Sequence, residues 1–260
     1  YDPIQNTPTF DVKLGDINMP EYTIKEIFEF IEHADKRCLV VIDEFQQITK
    51  YPEKNIEAIL RSYIQKLSNA NFVFAGSQRT ILEEMFLSSR RPFFQSAKLI
   101  QLEAIALPIY QAFVIKHFQE GEKKIMPEAI EKVYTTFRGV TLYMQRIMKD
   151  AYAMTPVGVT CDMALVDSLI DSFVTENDYR IRELLAYISE PQKEVLYAIH
   201  EEGQAKSIVS ATFTKKHRLK SPSATQSAAQ KLLEDDILTR NEKVYSIADP
   251  LLILWLDKKV

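Results

Sequence analysis

The sequence predicts an α/β protein: a parallel-sheet core, then a helical section, then a small domain of three short helices and a β-hairpin. Three observations carry that prediction. The run Leu39-Val40-Val41-Ile42 is apolar with no polar alternation, which suits a strand covered on both faces, as in parallel sheets. Strand and helix patterns then alternate up to about residue 105, the spacing of βαβ units. From about Leu107 the strand signal fades into helical periodicity, and the texture changes again after Ser189. The domain boundaries that follow are 1–105, 106–188 and 189–260.

Residues 1–20 carry Pro3, Pro8 and Pro20 with few periodic apolar positions, and read as irregular or extended. "EYTIKEIFEFIEHAD" places Ile24, Ile27, Phe28 and Ile31 on one helical stripe. The strand at 38–42 follows and ends in Asp43-Glu44. "EKNIEAILRSYIQKLSNA" repeats the helical stripe from Ile56 to Leu67, and "NFVFAGS" is a second strand that stops at Gly76-Ser77. "TILEEMFLSSRR" is a helix with Pro92 as its stop signal, and "AKLIQLEAI" supplies a third strand.

"PIYQAFVIKHFQE", "MPEAIEKVYTTFRG" and "VTLYMQRIMKDAYAM" are three helices, and residues 161–188 form one long helix or two shorter ones. Beyond Ser189, "PQKEVLYAIHEEG" has Pro191 in its first turn and Gly203 after its end. "SIVSATFTKKHRL" is a second helix, and Ser221 caps a third ahead of Pro222. "LTRNEKVYSIADP" reads as a hairpin turning near Asn241-Glu242, which completes a winged-helix pattern.

A chain of 260 residues can bury a sizeable core. Its net charge of −4 and pI of about 5.7 give no overall attraction to nucleic acid or anionic membrane, so any such contact must be local. No apolar run approaches the ~20 residues of a membrane helix, and nothing resembles a signal peptide, so a cytoplasmic protein without a membrane partner is expected. Cys38 and Cys161 are far apart and read as free thiols, and the four histidines show no ligand spacing.

Asp43 and Glu44 fall at the carboxyl end of a strand, where parallel α/β sheets bind their ligands. In phosphoryl-transfer sites an Asp there helps hold Mg²⁺ and a neighbouring acid activates the attacking water. A solvated strand end accounts for the same pair. Ser77 ends the next strand, where its hydroxyl either reaches a γ-phosphate or closes a Gly-Ser turn. Arg90 and Arg91 close the following helix, where they either project toward a neighbouring subunit's nucleotide or complement the helix dipole.

This order of elements resembles the AAA+ ATPases, and within them the prokaryotic clade related to the STAND ATPases, where a winged helix follows the lid. The specific sequence content lies in "LVVIDEFQQI" and "FVFAGSQ". The resemblance implies a P-loop-type sheet core, incomplete here, with a helical lid and a C-terminal winged helix. It implies Asp43 as the Walker B aspartate on Mg²⁺, Glu44 as the catalytic glutamate, Ser77 as sensor 1, and Arg90 or Arg91 as an arginine finger. "RGVTLYMQRIMKD" looks like the sensor 2 helix, in which Arg146 is best placed to touch phosphate with Arg138 behind it. A solvated helix residue is the other reading of Arg146.

The implied cofactors are ATP and Mg²⁺, and the implied activity is ATP hydrolysis driving a conformational switch, with homo-oligomers possible. The alternative is a non-hydrolysing DNA- or protein-binding regulator on a degenerate ATPase scaffold. The chain departs from the family in one respect: none of its six glycines stands in a G-x-x-x-x-G-K-[ST] loop. In the family that loop precedes the Walker B strand by several tens of residues, and only about 38 residues precede it here. Either the sequence is the later part of a longer ATPase or it no longer binds nucleotide, and the intact acid pair favours the first.

In the C-terminal module Lys215, Lys216, His217, Arg218 and Lys220 precede the third helix, and Ser223, Thr225, Gln226 and Gln230 fall on it. These are positions from which a winged helix grips phosphates and reads base edges. From Ser189 onward, however, 11 Lys and Arg face 10 Asp and Glu, a balance that a protein-docking winged helix explains equally well.

Overall fold

The computed structural model describes residues 20–53 and 55–259, so the irregular stretch expected over residues 1–19 lies outside the described residues. The chain forms two units, divided between Gln101 and Leu102.

In the first unit, helix α1 (Pro20–Glu32) precedes strand β1 (Cys38–Ile42), a 3₁₀ helix (Phe45–Lys50), α2 (Ile56–Lys66), β2 (Ala70–Phe74) and α3 (Arg79–Leu87). The two strands pair in parallel, with Cys38 opposite Ala70 and Ile42 opposite Phe74. The ladder runs on past both strand ends: Ala75 N donates to Ile42 O at 2.9 Å, and Phe45 N donates to Ala75 O at 2.9 Å. One face of this pair carries the core, in which Phe28, Phe45, Leu60, Met85, Phe86 and Phe93 pack together against Ile42, Phe72 and Phe74. Ring contacts hold the turn in place, with Phe45 4.4 Å from Phe74 and edge-on to Phe93 at 5.3 Å.

Two expectations for this unit need correction. "AKLIQLEAI" is not a strand: residues 98–106 have no regular structure, because no described strand offers them a ladder. The apolar β1 is not covered on both faces either. Leu39 and Val41 are 69% and 59% exposed, as is much of Val73 opposite, because every described helix of the unit contributes to the other face.

The second unit begins with α4 (Leu107–Glu120), α5 (Pro127–Thr136), α6 (Thr141–Met154), α7 (Met163–Glu176) and α8 (Asp178–Tyr187). Between them, β3 (Lys124–Ile125) and β4 (Thr160–Cys161) form a two-residue parallel pair that the periodicity did not signal. Asp162 caps α7 by accepting from Leu165 N at 3.0 Å. The stretch open between one helix and two is two, broken at Asn177, whose side-chain amide donates to Phe173 O at 2.8 Å.

The winged helix follows as α9 (Glu190–Glu202), β5 (Ala205–Lys206), α10 (Ala211–Lys216), α11 (Pro222–Glu234), β6 (Leu238–Asn241), β7 (Val244–Ile247) and α12 (Pro250–Lys259). Ser189 and Gln192 form a capping box at the start of α9, where Ser189 N donates to Gln192 Oε1 at 2.9 Å. The three strands form an antiparallel sheet in the order β5-β7-β6, and the hairpin turns at Glu242–Lys243. A single apolar cluster runs from Tyr110 through Ile147, Val166 and Leu196 to Leu256, so the helices before residue 188 and the winged helix after it share one core.

Candidate functional site

β1 delivers Asp43 and Glu44 to an exposed edge at its carboxyl end, as the apolar run followed by two acids predicts. Asp43 turns back on the chain, its Oδ1 accepting from Glu44 N at 2.8 Å. Glu44 adopts the left-handed conformation, with φ 48° and ψ 39°. For a residue with a side chain this costs about 1–2 kcal/mol, and such strain collects at functional sites.

That bend brings three groups together. Ser77, at the end of β2, donates from Oγ to Glu44 Oε2 at 3.2 Å, and Gln46 Nε2 donates to the same oxygen. Gln46 is fully buried, and its Oε1 has no hydrogen-bond partner. Gly76 makes room for it: a Cβ there would lie 2.0 Å from Gln46 Oε1. The result is a carboxylate with one oxygen held by two donors, beside a second carboxylate whose Oδ2 has no hydrogen-bond partner among the described residues. Gln46 escaped the sequence reading, and its only trace there is the glycine opposite it.

No group of three or more His, Cys, Asp and Glu could hold a metal among the described residues. Two carboxylate side chains suit a cation that keeps most of its water, which is the habit of Mg²⁺, and do not suit a closed protein cage.

The remaining candidates separate. α3 ends at Leu87, so Arg90 and Arg91 lie in the turn after the helix and do not close it as expected. Arg91 is held by acids of its own unit. Its Nη2 lies 2.8 Å from Glu57 Oε1, and its Nε lies 4.0 Å from Glu84. Burial pushes the Glu57 carboxyl up, and the Arg91 guanidinium partly offsets it. Arg90 is exposed, and its side chain has no partner among the described residues. Arg146, in the second unit, is engaged by Asp150 at 2.8 Å and Glu176 at 3.3 Å, and the bond to Asp150 raises its pKa. Arg138 sits in the turn after α5, at φ 52°.

On the winged helix the basic cluster is partly neutralised. Lys216 pairs with Glu202, and His217, whose side chain is 3% exposed, sits with Nδ1 3.2 Å from Glu201 and Nε2 2.9 Å from Glu202. The bond from Lys216, then that from His217, holds the Glu202 carboxyl below its usual range. Lys215, Arg218 and Lys220 remain exposed, as does Gln226 on α11. Thr225 is buried and donates to Ser221 O at 2.9 Å, so it does not face outward as expected, and Gln230 is engaged with Glu234 at 3.1 Å.

Residues 179–258 match a family model described as a probable winged helix domain. No curated protein matches the chain. Among solved structures, the chain is similar to the Walker-type ATPase of Pyrococcus abyssi, with a TM-score of 0.66 at 14% identity over 92% of this chain and 68% of that one. It is also similar to the ORC2 protein of Aeropyrum pernix, solved in ADPNP–ADP complexes, with a TM-score of 0.54 at 14% identity over 90% of this chain and 68% of that one. In fold, then, the chain is similar to P-loop ATPases and carries a winged helix domain at its carboxyl end.

Proposed function

We propose that this protein works as an AAA+ ATPase of the STAND-related clade, in which Mg²⁺-dependent ATP hydrolysis drives a switch read out through the winged helix. The observation that carries the reading is the 3.2 Å bond from Ser77 to Glu44 across the ends of two paired parallel strands, with Asp43 beside it. A magnesium ion bound with ATP supplies neutralisation of phosphate charge. The free oxygen of Asp43 is the ligand this chain offers to that ion. Glu44 orients a water and takes its proton, with Gln46 and Ser77 keeping the carboxylate aimed. Ser77 holds a hydroxyl that can exchange its acid for a phosphate oxygen. Arg90 is the freer of the two finger candidates, and a finger acts between copies of the chain, which gives the homo-oligomer its role. Arg146 is the sensor 2 candidate, and Asp150 and Glu176 engage it.

The test is turnover by the intact gene product. Glu44→Gln is expected to lower kcat by about 100-fold or more with Mg-ATP binding retained, the scale of losing a positioned base. Unchanged turnover would defeat the assignment.

A second reading, a non-hydrolysing regulator, draws on the winged helix. With Lys216 and His217 facing acids, the patch is closer to neutral than its sequence suggests, which favours a protein partner over DNA. DNA held by Lys215, Arg218 and Lys220 with Gln226 on a base edge is the competing outcome. A steep fall in DNA affinity with salt supports it, and no detectable binding at low salt excludes it.

A further inference from the structure

We propose that Glu201 and Glu202 form an internal counter-anion that restrains the winged helix from binding DNA. The proposal rests on the reading in which the exposed cations before α11 hold DNA, and it adds a brake to that hold.

Glu201 and Glu202 are the last two residues of α9. A helix carries partial negative charge at its carboxyl end, so two carboxylates there oppose the helix that bears them. What they face instead is the basic turn after α10. Glu202 Oε1 accepts from Lys216 Nζ and lies 2.9 Å from His217 Nε2, while Glu201 Oε2 lies 3.2 Å from His217 Nδ1. His217 also packs on Phe213, with ring centroids 4.5 Å apart, and its side chain is only 3% exposed. The turn is thereby fixed where the acids reach it. The bond from Lys216, then that from His217, lowers the Glu202 pKa, so its charge is permanent at neutral pH.

A carboxylate on Lys216 takes the place that a DNA phosphate would take. Residues 215–220 hold four lysines and arginines. Lys215, Arg218 and Lys220 are exposed and pair with no acid among the described residues, so only Lys216 is occupied. DNA must therefore meet three cations with two acids beside them, and it gains the fourth only by displacing Glu202.

The test titrates a DNA duplex of about 20 base pairs into the full chain over a range of salt concentrations, followed by fluorescence anisotropy. Glu201→Gln combined with Glu202→Gln keeps the side-chain shapes and removes both charges. This double variant is expected to bind about tenfold tighter than wild type at about 50 mM salt, with a log–log salt slope steeper by about 1. Lys216→Ala supplies the second arm. It should leave the wild-type slope nearly unchanged, and remove the added step in the double variant. Equal affinity of wild type and double variant would overturn the brake while leaving DNA binding in place. A Lys216→Ala effect of the same size in both backgrounds would overturn it too. A lower melting temperature without a gain in affinity would also overturn it, and would make the acids a structural tie between α9 and α10. No binding by either protein would remove the DNA reading itself, and the brake with it.

Discussion

Replacing Arg91 with alanine separates a structural arginine from a catalytic one. Glu57 is 9% exposed, its Oε1 is 2.8 Å from Arg91 Nη2, and its Oε2 is buried without a partner. Losing one member of a buried pair costs about 3–5 kcal/mol, because the other charge is left in a poor solvent. The Arg91 side chain is 26% exposed, so water can partly replace it, and we expect about 2–3 kcal/mol for Arg91→Ala. The pH dependence has a definite sign. Burial already holds the Glu57 pKa above its ordinary value of 4.5, and removing Arg91 raises it further. A carboxyl with a raised folded pKa favours the native state below its ordinary value and loses that contribution as pH rises. The deficit of Arg91→Ala should therefore be greatest near neutrality and shrink toward pH 4.5 and below. Hydrogen exchange of the α2 and β2 amides confines the measurement to the first unit. In a Glu57→Gln background the same substitution should cost less than half as much. A loss under about 0.5 kcal/mol at neutral pH, or an equal loss in both backgrounds, would refute the pairing argument. Arg90→Ala should leave exchange unchanged, so any effect it has on turnover is catalytic.

Other outcomes follow from the same structure. Gly76→Ala puts a Cβ 2.0 Å from Gln46 Oε1, and should destabilise the first unit by about 1–3 kcal/mol while cutting turnover, because the amide that aims Glu44 is displaced. Trp255 is the only tryptophan, and its Nε1 donates to Asp178 Oδ1 at 2.9 Å, so its emission reports that carboxylate. The bond from Arg182, then that from Trp255, lowers the Asp178 pKa, so the emission should change only below the ordinary value of 3.8, and Asp178→Asn should abolish the step. The stability this carboxylate lends is present above that value and lost as pH falls through the lowered one. If DNA binds at all, Lys215→Ala with Lys220→Ala should flatten the salt slope by about 2, whereas Lys216→Ala, already neutralised, should change it little.

The strand-and-acid motif was legible because apolar runs, turn residues and carboxylates are local signals. β1, β2 and their polar ends can be placed from fifteen residues of text, and the winged helix from Pro191, Gly203 and Ser221. What was not legible is pairing across distance. "AKLIQLEAI" has the composition of a strand, but a strand exists only where a neighbour supplies hydrogen bonds, and composition cannot show that neighbour. Arg90 and Arg91 are equivalent in sequence, yet Glu57, more than thirty residues earlier, engages only one of them. Gln46 reads as a polar surface residue until Gly76 is seen to leave it a place indoors. Charge counts on the winged helix could not tell which lysine had already met an acid.

The core shared between α4–α8 and the winged helix has a mechanical meaning. A seam of polar contacts would let the carboxyl-terminal helices swing on a hinge. A continuous apolar interior from Tyr110 to Leu256 instead couples them, because separating them would expose that interior. A hinge between α6 and α11 would have to open part of that shared core.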